Sequence, residues 1–196
     1  MIIVEIPPDH PLRPAVSRLI RATYYLIYDA RIKALPKTLV ALVDDKGKVL
    51  AAAGLRDASE PFFSEHYLDL PIQRLLSQVS RKPLERKSIV EVSCLASRAP
   101  VLSAHFMREL VFYGERLGYD WAFFTATSRL EKLLRRMRLP LLNLGEASAE
   151  RVPDPEAWGS YYDTQPRVLA FGREHLKPFI VRWLGKAHAI EARAHG

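Results

Sequence analysis

The run Ile89-Val90-Glu91-Val92-Ser93-Cys94-Leu95-Ala96-Ser97 alternates Ile89, Glu91, Ser93 and Leu95 against Val90, Val92, Cys94 and Ala96. Neither set is uniformly polar, so the run reads as a strand covered on both faces, at the centre of a sheet. A carboxylate in such a strand is costly unless it is satisfied, which singles out Glu91. Downstream, Pro100 suits the first turn of a helix. That helix runs to about Arg116 with Leu102, Phe106, Leu110 and Tyr113 on one side, and Gly118 stops it. Trp121 to Thr125 is a further strand, and Ser128 caps a basic helix to Arg138. Pro140 to Leu144 is another strand, Asp154 to Gly159 a loop, and Tyr161 to Phe171 holds a final strand. Residues 173–191 close the chain as a basic helix.

Upstream, residues 12–33 read as an amphipathic helix, with Leu12, Val16, Leu19, Ile20, Tyr24 and Ile27 at three- and four-residue spacing. Thr38 to Val43 and Val49 to Leu55 flank Asp44-Asp45-Lys46-Gly47-Lys48, a hairpin turn. Tyr67 to Val79 reads as a helix entered through Pro71, with Ile72, Leu75, Leu76 and Val79 as its apolar stripe. A hairpin followed by β-α units gives an α/β (α+β) fold, a mixed central sheet with helices on both faces. The expected organisation is one domain over residues 1–172, with the basic helix of residues 173–196 part of it.

Composition bounds the function. The chain has 196 residues, 48% of them hydrophobic, enough for one core and too short for two full domains. No apolar run approaches the roughly 20 residues that span a bilayer, and the start MIIVEIPPDHP shows neither a basic n-region nor a cleavage site. A cytoplasmic location is therefore expected. One cysteine, Cys94, leaves no internal disulfide framework, and His66 and His105 lack metal-ligand spacing, so no metal is assigned. The net charge of +7 asks for an anionic partner. No nucleic-acid reading module is recognisable, so an acidic protein or a phosphate-bearing ligand is the expected counterpart.

The run Ile89 to Ser97 and the run Trp158-Gly159-Ser160-Tyr161-Tyr162-Asp163-Thr164-Gln165-Pro166-Arg167-Val168 closely resemble the bacterial thermostable haemolysin family. So do Thr38-Leu39-Val40-Ala41-Leu42 and Ala53-Gly54-Leu55-Arg56, and the likeness runs in order over roughly residues 12–172. The resemblance implies a GNAT-like N-acyltransferase fold close to the acyl-homoserine-lactone synthases. Glu91 and Ser93 resemble the Glu-x-Ser pattern of those synthases, and Arg56 resembles their hairpin arginine. Where they usually place Arg after the serine, Cys94 stands here, which tells against S-adenosylmethionine as acceptor. Acetyltransferases hold the coenzyme A pyrophosphate on a loop resembling Arg-x-x-Gly-x-Gly at a helix start. Here Ala99, Pro100, Val101, Leu102 and Ser103 follow Arg98 without a glycine, and the place of their tyrosine acid falls at Leu134. The resemblance thus implies a fatty acyl thioester carried on acyl carrier protein rather than on coenzyme A, a small amine acceptor, and no tightly bound cofactor.

Acyl transfer from a thioester requires an amine to lose a proton, a carbonyl to be polarised, and a thiolate to be reprotonated. Glu91 is the expected base, directly or through water; the alternative is a strand carboxylate paired with an arginine such as Arg56. Arg56 and Ser93 are expected to bind substrate, and backbone N–H groups from Leu95 to Ser97 to polarise the carbonyl. Tyr161 and Asp163 are expected to shape the acceptor pocket and Tyr162 to supply the acid, against the alternative that the two tyrosines alternate across a closing strand. Cys94 reads as a buried small hydrophobe, since no histidine pairs with it. Arg129, Lys132, Arg135 and Arg136 are the expected docking face for an acidic carrier protein; the alternative is a solvated helix face.

A rival function comes from the C-terminal segment. Phe179, Ile180, Trp183 and Leu184 form an apolar stripe among Lys177, Arg182, Lys186 and Arg193, the composition of an interfacial membrane helix. With the haemolysin name, this keeps a membrane-active protein without catalysis open. The same stripe also suits a final helix packed on the sheet, and that is the favoured reading. A noncatalytic carrier- or nucleotide-binding module is the third reading, if Glu91 is merely structural.

Overall fold

A computed structural model describes residues 1–181 and Trp183. Its centre is a seven-stranded mixed sheet in the order β1-β2-β3-β4-β5-β7-β6. The strands are β1 Ile2–Ile6, β2 Thr38–Val43, β3 Val49–Arg56, β4 Ile89–Ser97, β5 Trp121–Ala126, β6 Leu142–Glu146 and β7 Arg167–Gly172. All neighbours are antiparallel except β4 and β5, which run parallel. The run expected at the centre of the sheet is β4, and the helix α3, Pro100–Leu117, makes the connection that a parallel pair requires. Further helices are α1 Arg13–Tyr28, α2 Ile72–Ser80 and α4 Ser128–Arg136.

The expected hairpin joins β2 to β3, where the Asp44 carboxylate accepts N–H bonds from Lys46 and Lys48 at 2.9 Å each and Gly47 takes φ 78°. Apolar side chains cover both faces of the sheet. Phe106, Met107, Leu110 and Val111 of α3 pack on one, together with Leu134 and Leu176. Val16, Leu19, Ile20 and Tyr24 of α1 form a second cluster, with α1 lying mainly over β3 and β4.

Several boundaries differ from the sequence reading. The helix expected to reach residue 33 ends at Tyr28, because Asp29 turns left-handed at φ 54° and its N–H returns to the Tyr25 carbonyl at 2.8 Å. Ile27, placed on the apolar stripe, is 55% exposed. β1 was not anticipated. Thr127, not Ser128, caps α4, accepting the Leu130 N–H at 3.3 Å. The strand expected over Tyr161 to Phe171 begins only at Arg167; residues Pro155–Thr164 form 3-10 turns instead, so the two tyrosines do not alternate across a strand.

Those turns are held by a close backbone approach. Gly159 has φ 50°, and a Cβ there would lie 2.1 Å from the Tyr28 carbonyl oxygen. Arg31 donates its N–H to the Ala157 carbonyl at 2.6 Å beside it. The Trp158-Gly159-Ser160 segment is thereby fastened to the end of α1.

Residues 173–181 and Trp183 are helical. Leu176 and Phe179 are buried in the core beside α3, Ile180 and Trp183 pack against it, and the Arg108 guanidinium sits 5.2 Å from the Trp183 ring. The described part of the stripe is therefore packed on the core, as the favoured reading expected, and not left as a membrane-facing face. Arg182, Leu184, Lys186 and Arg193 lie outside the described residues, as does the rest of the expected helix.

Candidate active site

The parallel pairing of β4 with β5 stops at Glu91 opposite Phe123. Beyond that rung the β5-facing edge of β4, Val92 to Ser97, has no ladder partner. On its other edge β4 carries a bulge against β3, with the register shifting between Ala52 and Gly54 and Cys94 left-handed at φ 52°. Two clefts meet at this opening. The larger, about 970 Å³, runs between α1, α3 and α4 and is lined by Leu95, Ser97, Arg98, Thr127, Arg129, Lys132 and Arg136 among others. The smaller, about 250 Å³, lies beneath residues 31–34 and is lined by Arg56, Phe63, Ser64, Tyr67, Glu91 and Trp158 among others. Tyr24, Ser93, Cys94, Thr125 and Tyr161 line both.

Glu91 sits where the strands part, with no exposed surface. Its carboxylate accepts from Phe63 N at 2.8 Å, Ser64 N at 2.7 Å, Ser64 Oγ at 2.6 Å and Arg56 Nη1 at 3.3 Å. The Arg56 guanidinium also reaches Ser93 Oγ at 3.0 Å. Charge-assisted bonds of this kind are what make a buried carboxylate tolerable. Phe63 and Ser64 come from the Phe63–Tyr67 3-10 turn. That turn is anchored by Glu65, whose carboxylate holds Arg86 at 2.6 and 2.7 Å and the Ile72 N–H at 2.9 Å. Burial alone would raise the Glu65 carboxyl, but the Arg86 and Ile72 donors outweigh it and hold it below the usual carboxylate range.

The structure thus brings Glu91, Arg56, Ser93, Leu95, Ser97 and Tyr161 to the two clefts and their junction. Ser97 Oγ is occupied in the β4–α3 turn, donating to the Ala99 carbonyl at 2.6 Å and accepting from Ser103 Oγ at 3.0 Å. Asp163 is exposed on the wall of the larger cleft. Tyr162 lines neither cleft; its hydroxyl pairs with Tyr67 at 2.8 Å. Arg129, Lys132 and Arg136 face the larger cleft, whereas Arg135 pairs with Glu131 of its own helix at 2.7 Å. Leu134, at the place of the acetyltransferase tyrosine, is fully buried. Burial pushes the Cys94 thiol up to about 11, so it carries its proton near neutral pH.

Sequence reasoning missed Ser64, Thr125 and the turn that holds Glu91. Ser64 Oγ lies 2.9 Å from Thr125 Oγ1 on β5, so one hydroxyl bridges the parted strands. Nothing periodic in Pro61 to Tyr67 marks this, and only the partners a buried Glu91 requires pointed to it. Tyr24, Trp158, Phe63 and Tyr67 ring the smaller cleft, with Trp158 5.3 Å from both Phe63 and Tyr161. Among the described residues no cluster of His, Cys, Asp and Glu is placed to hold a metal ion, and no helix is long and apolar enough to cross a membrane.

A mixed sheet parted between two parallel strands, with a cleft on each side of the parting, is the GNAT-like acyltransferase fold. The acyl-homoserine-lactone synthase LasI superposes with a TM-score of 0.58 at 13% identity, over 87% of this chain and 89% of its own. The CoA-dependent acyl-homoserine lactone synthase MesI gives 0.56 at 16% identity over 94% and 95%. FeeM, an N-acyl amino acid synthase from uncultured soil microbes, gives 0.56 at 13% identity over 89% and 99%. The thermostable hemolysin family matches residues 6–176, and the chain belongs to that family. A search of curated proteins finds no match.

Proposed function

We propose that the protein is an N-acyltransferase that moves a fatty acyl group from a thioester donor to an amine acceptor, with acyl carrier protein favoured over coenzyme A as the carrier. One observation carries this reading: two separately lined clefts meet at an unpaired strand edge beside the buried carboxylate of Glu91. The donor enters the larger cleft and its carbonyl lies against the free edge of β4 between Leu95 and Ser97. The acceptor occupies the smaller cleft among Arg56, Ser93, Tyr161 and the aromatic rings. Glu91 takes up the proton the amine loses, the C–N bond forms, the C–S bond breaks, and the thiolate leaves with a proton. Tyr161 suits that last transfer better than Tyr162: it lines both clefts, and burial raises its phenol so that it remains protonated. Asp163, on the outer wall, is placed to touch whatever enters the larger cleft.

The carrier preference rests on charge and on backbone donors. Arg129, Lys132 and Arg136 line the mouth an acidic carrier protein would approach. At the start of α3, Pro100 lacks an N–H and no glycine lets the backbone close on a pyrophosphate. Purified protein incubated with the same long-chain acyl group on carrier protein and on coenzyme A, with a panel of small amines, should yield amide from the carrier-protein donor by mass spectrometry. Equal use of both donors at all salt concentrations removes the docking argument; no amide from either removes the transferase reading.

A further inference from the structure

Glu91 lies in the wall of the smaller cleft without exposed surface, and backbone and side-chain donors already occupy both its oxygens. It cannot itself touch an acceptor amine. One path of hydroxyls leads out of its pocket. Ser64 Oγ lies 2.6 Å from Glu91 Oε1 and 2.9 Å from Thr125 Oγ1, and Thr125 lines both clefts at their junction.

The direction of this chain follows from its end. A carboxylate only accepts, so the single Ser64 hydroxyl proton is committed to Glu91. The Ser64 oxygen is then an acceptor, and the proton between Ser64 and Thr125 belongs to Thr125. With that proton turned inward, the lone pairs of Thr125 Oγ1 are left for the space where the clefts join. Ser64 is itself buried and fixed through its own N–H to the same carboxylate oxygen, 2.7 Å away.

Resting on the transferase reading above, we propose that Thr125 and Ser64 relay the acceptor's proton to Glu91. An N–H proton of the attacking amine passes to Thr125 Oγ1 as the Thr125 proton moves to Ser64 Oγ and the Ser64 proton to Glu91 Oε1. The nitrogen lone pair forms the C–N bond, the C–S electrons leave with sulfur, and the thiolate takes the Tyr161 phenol proton, so thioester and amine become amide and thiol. Solvent then returns a proton to Tyr161 and removes the one on Glu91. Thr125 is the catalytic group that meets the amine, and Ser64 is a positioning residue acting through it. Arg56 on β3 pairs with Glu91 directly, and Tyr24, Arg31, Lys33, Tyr67, Cys94, Asp154 and Tyr161 are the other titratable groups lining the same cleft.

The test compares Thr125→Val, Thr125→Ser and Ser64→Ala with the parent protein, using a long-chain acyl-carrier-protein donor and an amine the parent accepts. Turnover is followed from neutral pH to above the pKa of that amine. Removing a proton-transfer group lowers kcat by about 10²-fold, so Thr125→Val and Ser64→Ala should show this at neutral pH with an unchanged KM for the donor. The loss should shrink as pH rises, because hydroxide can take the N–H proton in place of the relay, and Thr125→Ser should keep most of the parental rate. Parental kcat and pH profile in folded Thr125→Val overturn the relay. So does a loss that neither high pH nor Thr125→Ser restores, which marks the hydroxyls as packing groups only. A parent that acylates no amine overturns the transferase reading itself, a result distinct from an active parent with indifferent variants.

Discussion

Glu91 on β4 and Arg56 on β3 are register partners, and their side chains meet at 3.3 Å with the carboxylate wholly buried and the guanidinium nearly so. This pair lies in the wall of the smaller cleft and also holds two strands and the Phe63–Tyr67 turn in one arrangement. Its chemical and structural roles therefore have to be separated by experiment.

Glu91→Gln turns an all-acceptor group into one with two N–H donors facing the N–H groups of Phe63 and Ser64. Breaking a buried pair by changing one partner costs about 3–5 kcal/mol, so the variant should unfold at lower denaturant as well as lose acyl transfer. Arg56→Met should destabilise too, and the double variant by less than the sum of the singles. Additive losses in the denaturation cycle would show that the two side chains are not coupled.

Stability should fall in acid through Glu65. Its carboxyl titrates below the ordinary value of 4.5 in the folded chain because Arg86 and the Ile72 N–H hold its charge. A depressed folded value contributes stability that is present above the unfolded pKa and lost as pH drops through the folded one. The stability gap between the parent and Arg86→Met should accordingly be constant near neutrality and narrow below about pH 4.5. Denaturant titrations across that range decide it; a gap that stays constant rules the pair out.

Charge reversal should distinguish the residues of α4. Arg129→Glu with Arg136→Glu alters the wall of the larger cleft, whereas Arg135→Glu alters a residue already paired with Glu131. The double reversal should slow association with an acidic carrier protein, added salt should do the same to the parent, and Arg135→Glu alone should do less. Association rates from stopped-flow mixing report all three, and a larger effect at Arg135 would move the docking face off the cleft.

Cys94→Ala should leave transfer within about threefold of the parent, since a thiol that titrates near 11 offers little thiolate at neutral pH. A covalent acyl adduct on Cys94, seen by mass of the intact chain, would contradict this.

How much was legible in the sequence differs by element. β4 and the hairpin were readable because alternation and turn residues are local signals, and Pro100 and Gly118 bracket α3 for equally local reasons. The end of α1 was not, because no glycine marks the left-handed turn at Asp29, and the backbone that fastens the segment beyond it, Ala157 and Gly159, lies far along the sequence. Tyr161 and Tyr162 suggested a strand by composition, yet the left-handed Gly159 and Gln165 break that stretch into 3-10 turns. Glu91 stood out as a buried charge, but Ser64 and Thr125 did not, since each is an ordinary hydroxyl until the fold sets one on either side of the gap.

The parting of β4 from β5 after Glu91 and Phe123 has a kinetic consequence. On the proposed reading each substrate reaches the shared residues from its own cleft, so neither has to arrive first and neither has to leave before the other binds. With no acylated enzyme in between, initial-rate plots should intersect, as for a ternary complex, instead of running parallel. On that reading the amide, once made, lies with its acyl part in the larger cleft and its amine part in the smaller, like thread through a needle's eye. Its withdrawal, more than bond formation, is then expected to set the pace of turnover.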